Sequence, residues 1–135
     1  MYKTLLCTVA VLSLATSAAR AEAITVLVEG GGHSLQQAAA DAFTKETGIE
    51  VNFVEVPYQG VFDKLTAEIA SGTSDYDVAT IDVVWNAAFA PHVEDLSDLF
   101  TDGVKADLPP ALLADANADG KMMGMPTWAN AEIVF

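Results

Sequence analysis

Between residues 24 and 84 the sequence alternates short apolar runs with longer amphipathic stretches, and this alternation restricts the fold more than any other feature. The apolar runs lie at residues 24–28, 49–56 and 77–84 and are rich in β-branched side chains. Compact runs of this kind are typical of buried parallel strands. The order β-α-β-α-β therefore predicts an α/β fold, a mostly parallel sheet with crossover helices.

The first amphipathic stretch carries the start and stop signals of a helix. Gln37 follows Ser34 by three residues, which is the spacing of a capping box, and Gly48 stands where a left-handed cap residue ends a helix. The apolar residues that repeat at helical spacing, and so predict the face packed on the sheet, are Leu35, Ala38, Ala39, Ala42 and Phe43. In the second stretch they are Val61, Leu65 and Ile69, with Phe62 beside them.

The amino-terminal residues are organised like a secretory leader. Lys3 precedes an apolar run at residues 5–15, and Ala19-Arg20-Ala21 forms an A-x-A cleavage pattern. A basic start, an apolar segment of roughly 7–15 residues and an A-x-A site predict a signal peptide, here residues 1–21. The run is shorter than the about 20 apolar residues that span a bilayer. We therefore expect an exported protein that begins at Glu22.

Charge and cysteine content exclude several classes of function. The chain has 6 basic and 19 acidic residues and a formal net charge of -13. Binding to nucleic acid or to an anionic membrane surface requires clusters of Lys and Arg, so we expect neither partner, and the acidity favours solubility instead. The single cysteine, Cys7, lies in the predicted leader. The predicted mature protein therefore has no disulfide and no thiol nucleophile, and a hydrophobic core must stabilise it.

The carboxyl ends of the predicted strands mark where a ligand would bind. In open parallel sheets, ligands bind beyond these ends, at the point where the strand order reverses. Polar and aromatic residues follow each strand here, and a further cluster follows Pro126. The candidate ligand contacts are His33, Ser34, Tyr58, Gln59, Asp82, Trp85, Trp128 and Asn130. Carboxylates, amides and flat aromatic rings suit a polyhydroxylated ligand, because polar groups fix hydroxyl directions and an indole covers the apolar side of a sugar ring.

Several of these candidates also have a purely structural interpretation. Trp85 and Trp128 could belong to the core. Ser34 and Gln59 could cap their helices. His33 could serve only to satisfy backbone groups. The residues alone leave these alternatives open.

Motifs for catalysis, nucleotides and metals are absent or incomplete. The triplet Gly30-Gly31-Gly32 is not G-x-G-x-x-G, no G-K-[ST] sequence is present, and the triplet could serve only a tight turn, since glycine adopts positive φ angles. Residues 115–120 copy the first half of a calcium loop, but its twelfth position is Pro126 rather than glutamate. There is no H-E-x-x-H and no G-x-S-x-G. We expect no catalytic residues, no metal site and no cofactor.

Beyond residue 85 the pattern predicts only short elements. Residues 86–92 predict a short helix, Pro109-Pro110 can open another, and Asp119-Gly120 predicts a turn. Residues 131–135 (AEIVF) form a mostly apolar run and carry no closing signal. We therefore expect the sequence to be a fragment of a longer protein.

Several segments, taken in order, resemble the amino-terminal part of the family 1 extracellular solute-binding proteins, the sugar-capturing components of bacterial ABC importers. They are the leader, ITVLVEGGGHSLQQAAADAFTKETGIEVNFVEVPY, FDKLTAEIASGTSDYDVATID, EDLSDLF and DGKMMGMPTWANAEIVF. The resemblance implies a type II periplasmic-binding-protein-like fold, in which two α/β lobes flank a cleft and are joined by crossing strands. It assigns residues 22–130 to the amino-terminal lobe and 131–135 to the start of the first crossing.

The resemblance also implies binding without chemistry. In this family a solute closes the lobes, and the closed form docks on a membrane permease driven by an intracellular ATPase. Family binding positions after the first strand, after the third strand and behind G-x-P correspond to His33 and Ser34, to Asp82 and Trp85, and to Trp128 and Asn130. Tyr58 and Gln59 occupy a second family-like loop.

These implications predict a periplasmic, monomeric protein that is not an enzyme and that captures a sugar or oligosaccharide for an ABC permease. Because half of the cleft is absent from this chain, we expect weak or no solute affinity from it alone. Two alternatives stay open. The same fold could bind a polyamine, an iron chelate, a phosphate ester or an amino acid, or the protein could be an exported hydrolase.

Overall fold

The computed structural model describes residues 23–73 and 75–129. The predicted leader, Asn130 and the predicted crossing at residues 131–135 lie outside the described residues. Within the described part of the chain, none of the helices combines the length and the apolar character that a bilayer crossing requires.

The first half of the described chain is a βαβαβ unit. Its elements are strand β1 (Ala23–Glu29), helix α1 (Gly32–Thr47), strand β2 (Glu50–Val56), helix α2 (Tyr58–Ser71) and strand β3 (Val78–Ala79). The three strands are parallel and stand in the order β2-β1-β3. In the central strand, Val26 lies opposite Phe53 on one side and opposite Val78 on the other. The predicted α/β fold with parallel strands and crossover helices is confirmed.

The second half consists of short elements. Three 3₁₀ turns, three helices and a hairpin follow: Val83–Trp85, α3 (Asn86–Phe89), Ala90–His92, Ser97–Leu99, α4 (Asp102–Asp107), α5 (Pro110–Asp115), β4 (Asn117–Ala118) and β5 (Lys121–Met122). The hairpin turns through Asp119 and Gly120, whose φ angles are 53° and 83°. Two positive φ angles are the signature of a two-residue hairpin turn. The predicted turn and the predicted helix after Pro109 are confirmed.

The two long helices cover opposite faces of the sheet. A β-carbon added to Gly32, the first residue of α1, would lie 3.1 Å from the Val28 β-carbon, and one added to Gly60 in α2 would lie 3.3 Å from the Val56 β-carbon. Val28 pairs with Glu55, the neighbour of Val56, so the two valines point to opposite faces. Strand β1 is therefore buried between the helices, and its three core residues are at most 5% exposed.

Helix α1 begins before Ser34, and the predicted capping box is wrong. The N-cap is Gly31, which has a φ angle of 87° and makes no side-chain cap. The Ser34 hydroxyl donates instead to the Gly31 carbonyl at 2.9 Å. The Gln37 side chain lies 2.6 Å from His33 Nε2 and donates to Asp41 at 2.6 Å. The positive φ angle of Gly31 turns the chain into the helix directly after the strand, which moves the helix start ahead of the serine.

The face of α1 that packs on the sheet also differs from the prediction. Leu35 is 70% exposed and Phe43 is 38% exposed, and the alanines of the predicted stripe are exposed as well. The buried residues of α1 are Gly32 and Ala40. Small residues lie against the sheet because its facing side already carries bulky valines, and larger helix side chains would hold the helix away. The predicted end of α1 at Gly48 is confirmed by its left-handed φ angle of 77°.

Helix α2 and strand β3 follow the sequence pattern only in part. Val61 is 1% exposed, as its place in the predicted stripe requires, but Ile69 is 40% exposed. The predicted third strand at residues 77–84 shortens to Val78–Ala79. The chain then leaves the sheet because the Asp82 carboxylate accepts from the Val84 backbone N–H and starts a 3₁₀ turn.

Lys121 ties the hairpin to the turn that follows α3. Its ammonium group donates to the carbonyl of Ala90 at 3.2 Å and to the carbonyl of Val93. Beside it, the Leu96 N–H donates to the Met122 carbonyl at 2.7 Å. These bonds satisfy carbonyl groups at the end of a helical segment, where lysine is favoured.

Asp95 stabilises the turn before α4. Its carboxylate accepts from the Ser97 hydroxyl at 2.6 Å and from the Ser97 backbone N–H at 2.9 Å. The hydroxyl donor, followed by the backbone donor, lowers the pKa of the Asp95 carboxyl below its ordinary value of 3.8.

Candidate functional site

The carboxyl edge of the sheet collects the loops that leave its three strands. The chain passes from β1 to β2 on one side and then crosses to β3 on the other side of β1. Such a reversal opens a crevice between neighbouring strands at their carboxyl ends, where ligands of open α/β sheets bind. The turn after β1 and Asp82 after β3 border this crevice, and Tyr58 follows β2 at the same edge.

A concavity of about 380 Å³ lies at the carboxyl end of β1, and we call it the glycine-turn pocket. Its lining residues are Glu29, Gly30, Gly31, Gly32, Leu35 and Trp128. Trp128 comes from the far end of the described chain and is half-buried. The N-cap residue of α1 is a glycine, so no side chain of that residue accepts hydrogen bonds from the first backbone N–H groups of the helix, which begins at the pocket. The lining residues thus include a tryptophan, a glutamate and three glycines, and none of them is basic.

Asp82 is held by two donors at the carboxyl end of β3. The Tyr58 hydroxyl donates to its Oδ2 at 3.1 Å, and the Val84 backbone N–H donates to its Oδ1 at 3.0 Å. The first bond joins the start of α2 to the loop after β3. Each carboxylate oxygen can accept more than one hydrogen bond, so Asp82 keeps the capacity to accept from a ligand.

Trp85 belongs to an aromatic cluster, which we define as Tyr58, Phe62, Trp85 and Phe89. Its ring centroid lies 4.6 Å from that of Tyr58 and 5.5 Å from that of Phe62. Phe62 in turn lies 5.3 Å from Phe89, which is 3% exposed. These tilted and edge-to-face contacts are the favoured geometries of aromatic pairs. The structural interpretation of Trp85, as part of the packing, is therefore supported.

The remaining predicted contacts have partners within their own elements or beside them. The His33 ring packs on Phe53 of β2, with the centroids 5.0 Å apart, on the face of the sheet that α1 covers. Ser34 bonds back to the preceding turn. Gln59 lies in the first turn of α2, where its amide is 3.5 Å from an Asp63 carboxylate oxygen. Asn130 lies outside the described residues.

Sequence reasoning did not select Glu29, Leu35 or Phe62 as site residues. Glu29 is the last residue of β1, and its position at a strand end was a signal that pointed to the crevice. Leu35 was assigned to the core, and only the observed orientation of α1 places it at the pocket. The sequence pattern places Phe62 beside the apolar stripe of α2, and nothing local to its sequence predicts its contact with Trp85.

A larger concavity of about 780 Å³ lies beside α3 and α5. Seven small apolar residues line it, together with Asn86, Asp115, Asn117, Asp119 and Lys121. Asn86 and Lys121 already donate to backbone carbonyls there. We place the functional site at the smaller glycine-turn pocket, because that pocket lies at the reversal of strand order and contains an indole.

Residues 28–133 match the family described as bacterial extracellular solute-binding protein. The chain belongs to this family. A probable ABC transporter-binding protein from Deinococcus radiodurans is 32% identical over 128 residues, which are 90% of this chain and 30% of the relative. The resemblance to this family, stated from the sequence, is confirmed.

Two solved structures extend the comparison. The Thermus thermophilus maltotriose binding protein bound with maltotriose has a TM-score of 0.64 and 28% identity, and the match covers 76% of this chain and 28% of that one. An ABC transporter solute binding protein from Agrobacterium vitis, with bound D-mannitol, has a TM-score of 0.64 and 29% identity, and the match covers 76% of this chain and 26% of that one. This solute-binding protein spans less than a third of the length of the relatives it matches.

Among the described residues, no group of three or more His, Cys, Asp or Glu side chains is placed to hold a metal ion. The chemistry of the site consists of hydrogen-bond acceptors, backbone donors and an aromatic face. Such groups can hold a ligand by shape and hydrogen bonding.

Proposed function

We propose that this chain forms one wall of a sugar-binding cleft in a non-enzymatic, exported solute-binding protein that serves an ABC importer. The observation that carries the proposal is that Trp128 and the glycine turn after β1 line the same pocket. An indole face there can cover the apolar side of a sugar ring. Backbone N–H groups and the Glu29 carboxylate lie at the same pocket and can bond hydroxyl groups around the ring.

Asp82 and its neighbours extend this wall across the crevice. The carboxylate stands at the carboxyl end of β3 and accepts hydrogen bonds only, which suits a hydroxyl donor on the solute. We keep Trp128 and Asp82 as the principal candidates for solute contact and add Glu29. Four other predicted residues are secondary candidates because each already has a bond or ring contact beside it: His33, Ser34, Tyr58 and Gln59. Asn130 stays a sequence-based candidate.

The mechanism we propose is capture by closure. A second lobe, from protein beyond this chain, would supply the opposite wall, and a solute would favour the closed form only through better contacts with it. The closed, monomeric protein would then dock on a membrane permease. We further propose that residues 1–21 direct export to the periplasm. A fusion that keeps these residues should appear in the periplasmic fraction, and one that lacks them should not.

A titration followed by two-dimensional NMR tests the sugar proposal on this chain. We expect maltotriose to shift the amides of the glycine turn and the Trp128 indole N–H, with a dissociation constant of about 1 mM or weaker, because one wall makes only part of the contacts. Trp128→Ala should abolish these shifts. D-mannitol has no ring to stack on the indole, so its binding should weaken less on this substitution. Calorimetry that finds micromolar binding would contradict the single-wall argument, and shifts confined to other surfaces would refute the site.

A cationic solute such as a polyamine is the second candidate. Glu29 lines the glycine-turn pocket without any basic residue, and Asp82 adds another carboxylate at the same edge. Spermidine belongs in the same titration for this reason. If its shifts exceed those of maltotriose and vanish at high salt, ion pairing is the main attraction and the sugar proposal is wrong.

A further inference from the structure

We infer that Tyr58 is a positioning residue, which aims the Asp82 carboxylate at the solute and does not itself make the decisive solute contact. The inference rests on the proposed function, because it concerns the same crevice. Sequence reasoning treated Tyr58 and Asp82 as two independent contacts. The geometry joins them, since the Tyr58 hydroxyl donates to Asp82 Oδ2 at 3.1 Å across the gap between two different loops.

The phenol ring of Tyr58 is itself in contact with an aromatic neighbour. This ring lies 4.6 Å from the Trp85 ring, and Trp85 lies 5.5 Å from Phe62. A hydroxyl has one proton, and here that proton points to the carboxylate. The phenol therefore acts as an oriented donor held by packing.

The other oxygen of Asp82 is held from the opposite direction. The Val84 backbone N–H donates to Oδ1 at 3.0 Å and fixes the carboxylate at the start of the 3₁₀ turn. Two donors on the two oxygens restrict rotation about the last side-chain bond. The remaining acceptor positions are thereby preorganised, which lowers the entropy lost when a hydroxyl binds.

A double-mutant cycle separates positioning from direct contact. We expect Tyr58→Phe to weaken maltotriose binding about three- to fivefold, the size of one partly exposed hydrogen bond. In an Asp82→Ala background the same change should have no further effect, because the group that Tyr58 positions is absent. If alanine at position 82 unfolds the protein, Asp82→Ser serves as the second background, because serine can still cap the 3₁₀ turn but lacks the carboxylate. Tyr76→Phe, at the amino-terminal end of β3, is the matched control and should leave binding unchanged.

A second readout requires no solute. With aspartate labelled at the carboxyl carbon, Tyr58→Phe should shift the Asp82 signal, and Tyr76→Phe should not. If this signal does not move, or if Tyr58→Phe weakens binding equally in the presence and absence of Asp82, the inference is wrong. If the wild-type protein binds maltotriose and Tyr58→Phe changes neither this binding nor the Asp82 signal, the inference fails while the proposed function stands. If the wild type binds none of the probes, the proposed function fails, and the positioning role fails with it.

Discussion

The three successive glycines after β1 allow one chemical change to be tested in three environments. Each Gly→Ala substitution adds one β-carbon. At Gly30 that carbon meets nothing within 4 Å, and the residue has no positive φ angle. At Gly31 the space is equally open, but φ is 87°. At Gly32 φ is not positive, and the added carbon lies 3.1 Å from that of Val28.

Gly30 and Gly31 both have open space for a β-carbon and differ in backbone conformation. The difference in unfolding free energy between their alanine variants therefore measures the cost of placing alanine in the left-handed region. An L-residue in that region costs roughly 1–2 kcal/mol. Both substitutions also restrict the unfolded chain, which stabilises by about 0.4–1 kcal/mol where the native backbone accepts alanine. We therefore expect Gly30→Ala to be at least as stable as the wild type and Gly31→Ala to be about 1–2 kcal/mol less stable than Gly30→Ala. That difference corresponds to roughly 5–10 °C in Tm for a domain near 100 residues.

Urea denaturation followed by circular dichroism measures these free energies of unfolding. Gly31→Asn is the matched control, because asparagine tolerates the left-handed region and should recover part of the loss. Gly32→Ala should be destabilised for a different reason, since Val28 is fully buried and has little room to move. Equal stability of Gly30→Ala and Gly31→Ala would refute the argument that the positive φ angle is what requires glycine.

Three further predictions concern packing and hydrogen bonds outside the glycine-turn pocket. Lys121→Met should lower the free energy of unfolding by about 1–2 kcal/mol, because two carbonyl acceptors lose their donor. Lys105 is exposed, so Lys105→Met should change the free energy of unfolding little, and thermal melts compare the two variants. Because the Ser97 donors lower the pKa of Asp95, the Asp95 carboxylate stabilises the fold at pH values above its ordinary pKa of 3.8, and this effect is lost as the pH falls through the lower native pKa. The difference in unfolding free energy between wild type and Asp95→Asn should therefore disappear over that acid range. A difference that persists there contradicts the assignment. Trp85→Ala should cost about 2 kcal/mol, less than a fully buried tryptophan, and a loss near zero in urea denaturation would mean that the aromatic cluster does not stabilise this edge.

Local signals predicted the elements best where a single residue type was required. Gly48 was predicted to end α1 and does so with a left-handed φ angle. Asp119 and Gly120 were predicted to form a turn and have two positive φ angles. Ser34 was misread because two kinds of local signal compete at a helix start, and the glycine turn begins the helix before a serine cap is needed.

The packing face of α1 shows where local patterns stop. The apolar spacing selected Leu35 and Phe43 for the core, yet both are exposed and Ala40 is buried. Helical periodicity indicates that an apolar stripe exists, but it does not specify how much space the sheet leaves for the side chains of the helix. That space is fixed by β1 and β2 together, and their contact with the helix favours small residues.

By itself the sequence determined the order of strands and helices along the chain, the edge of the sheet that carries the candidate loops, and the family. Each of these depends on neighbouring residues or on ordered motifs. Only the tertiary structure decided which side chains meet at that edge. Trp128 lines the same pocket as the glycine turn, the Tyr58 hydroxyl donates to Asp82, and the His33 ring packs on Phe53. Such contacts join residues far apart in the chain, and they depend on strand order and side-chain volume, which no local pattern contains.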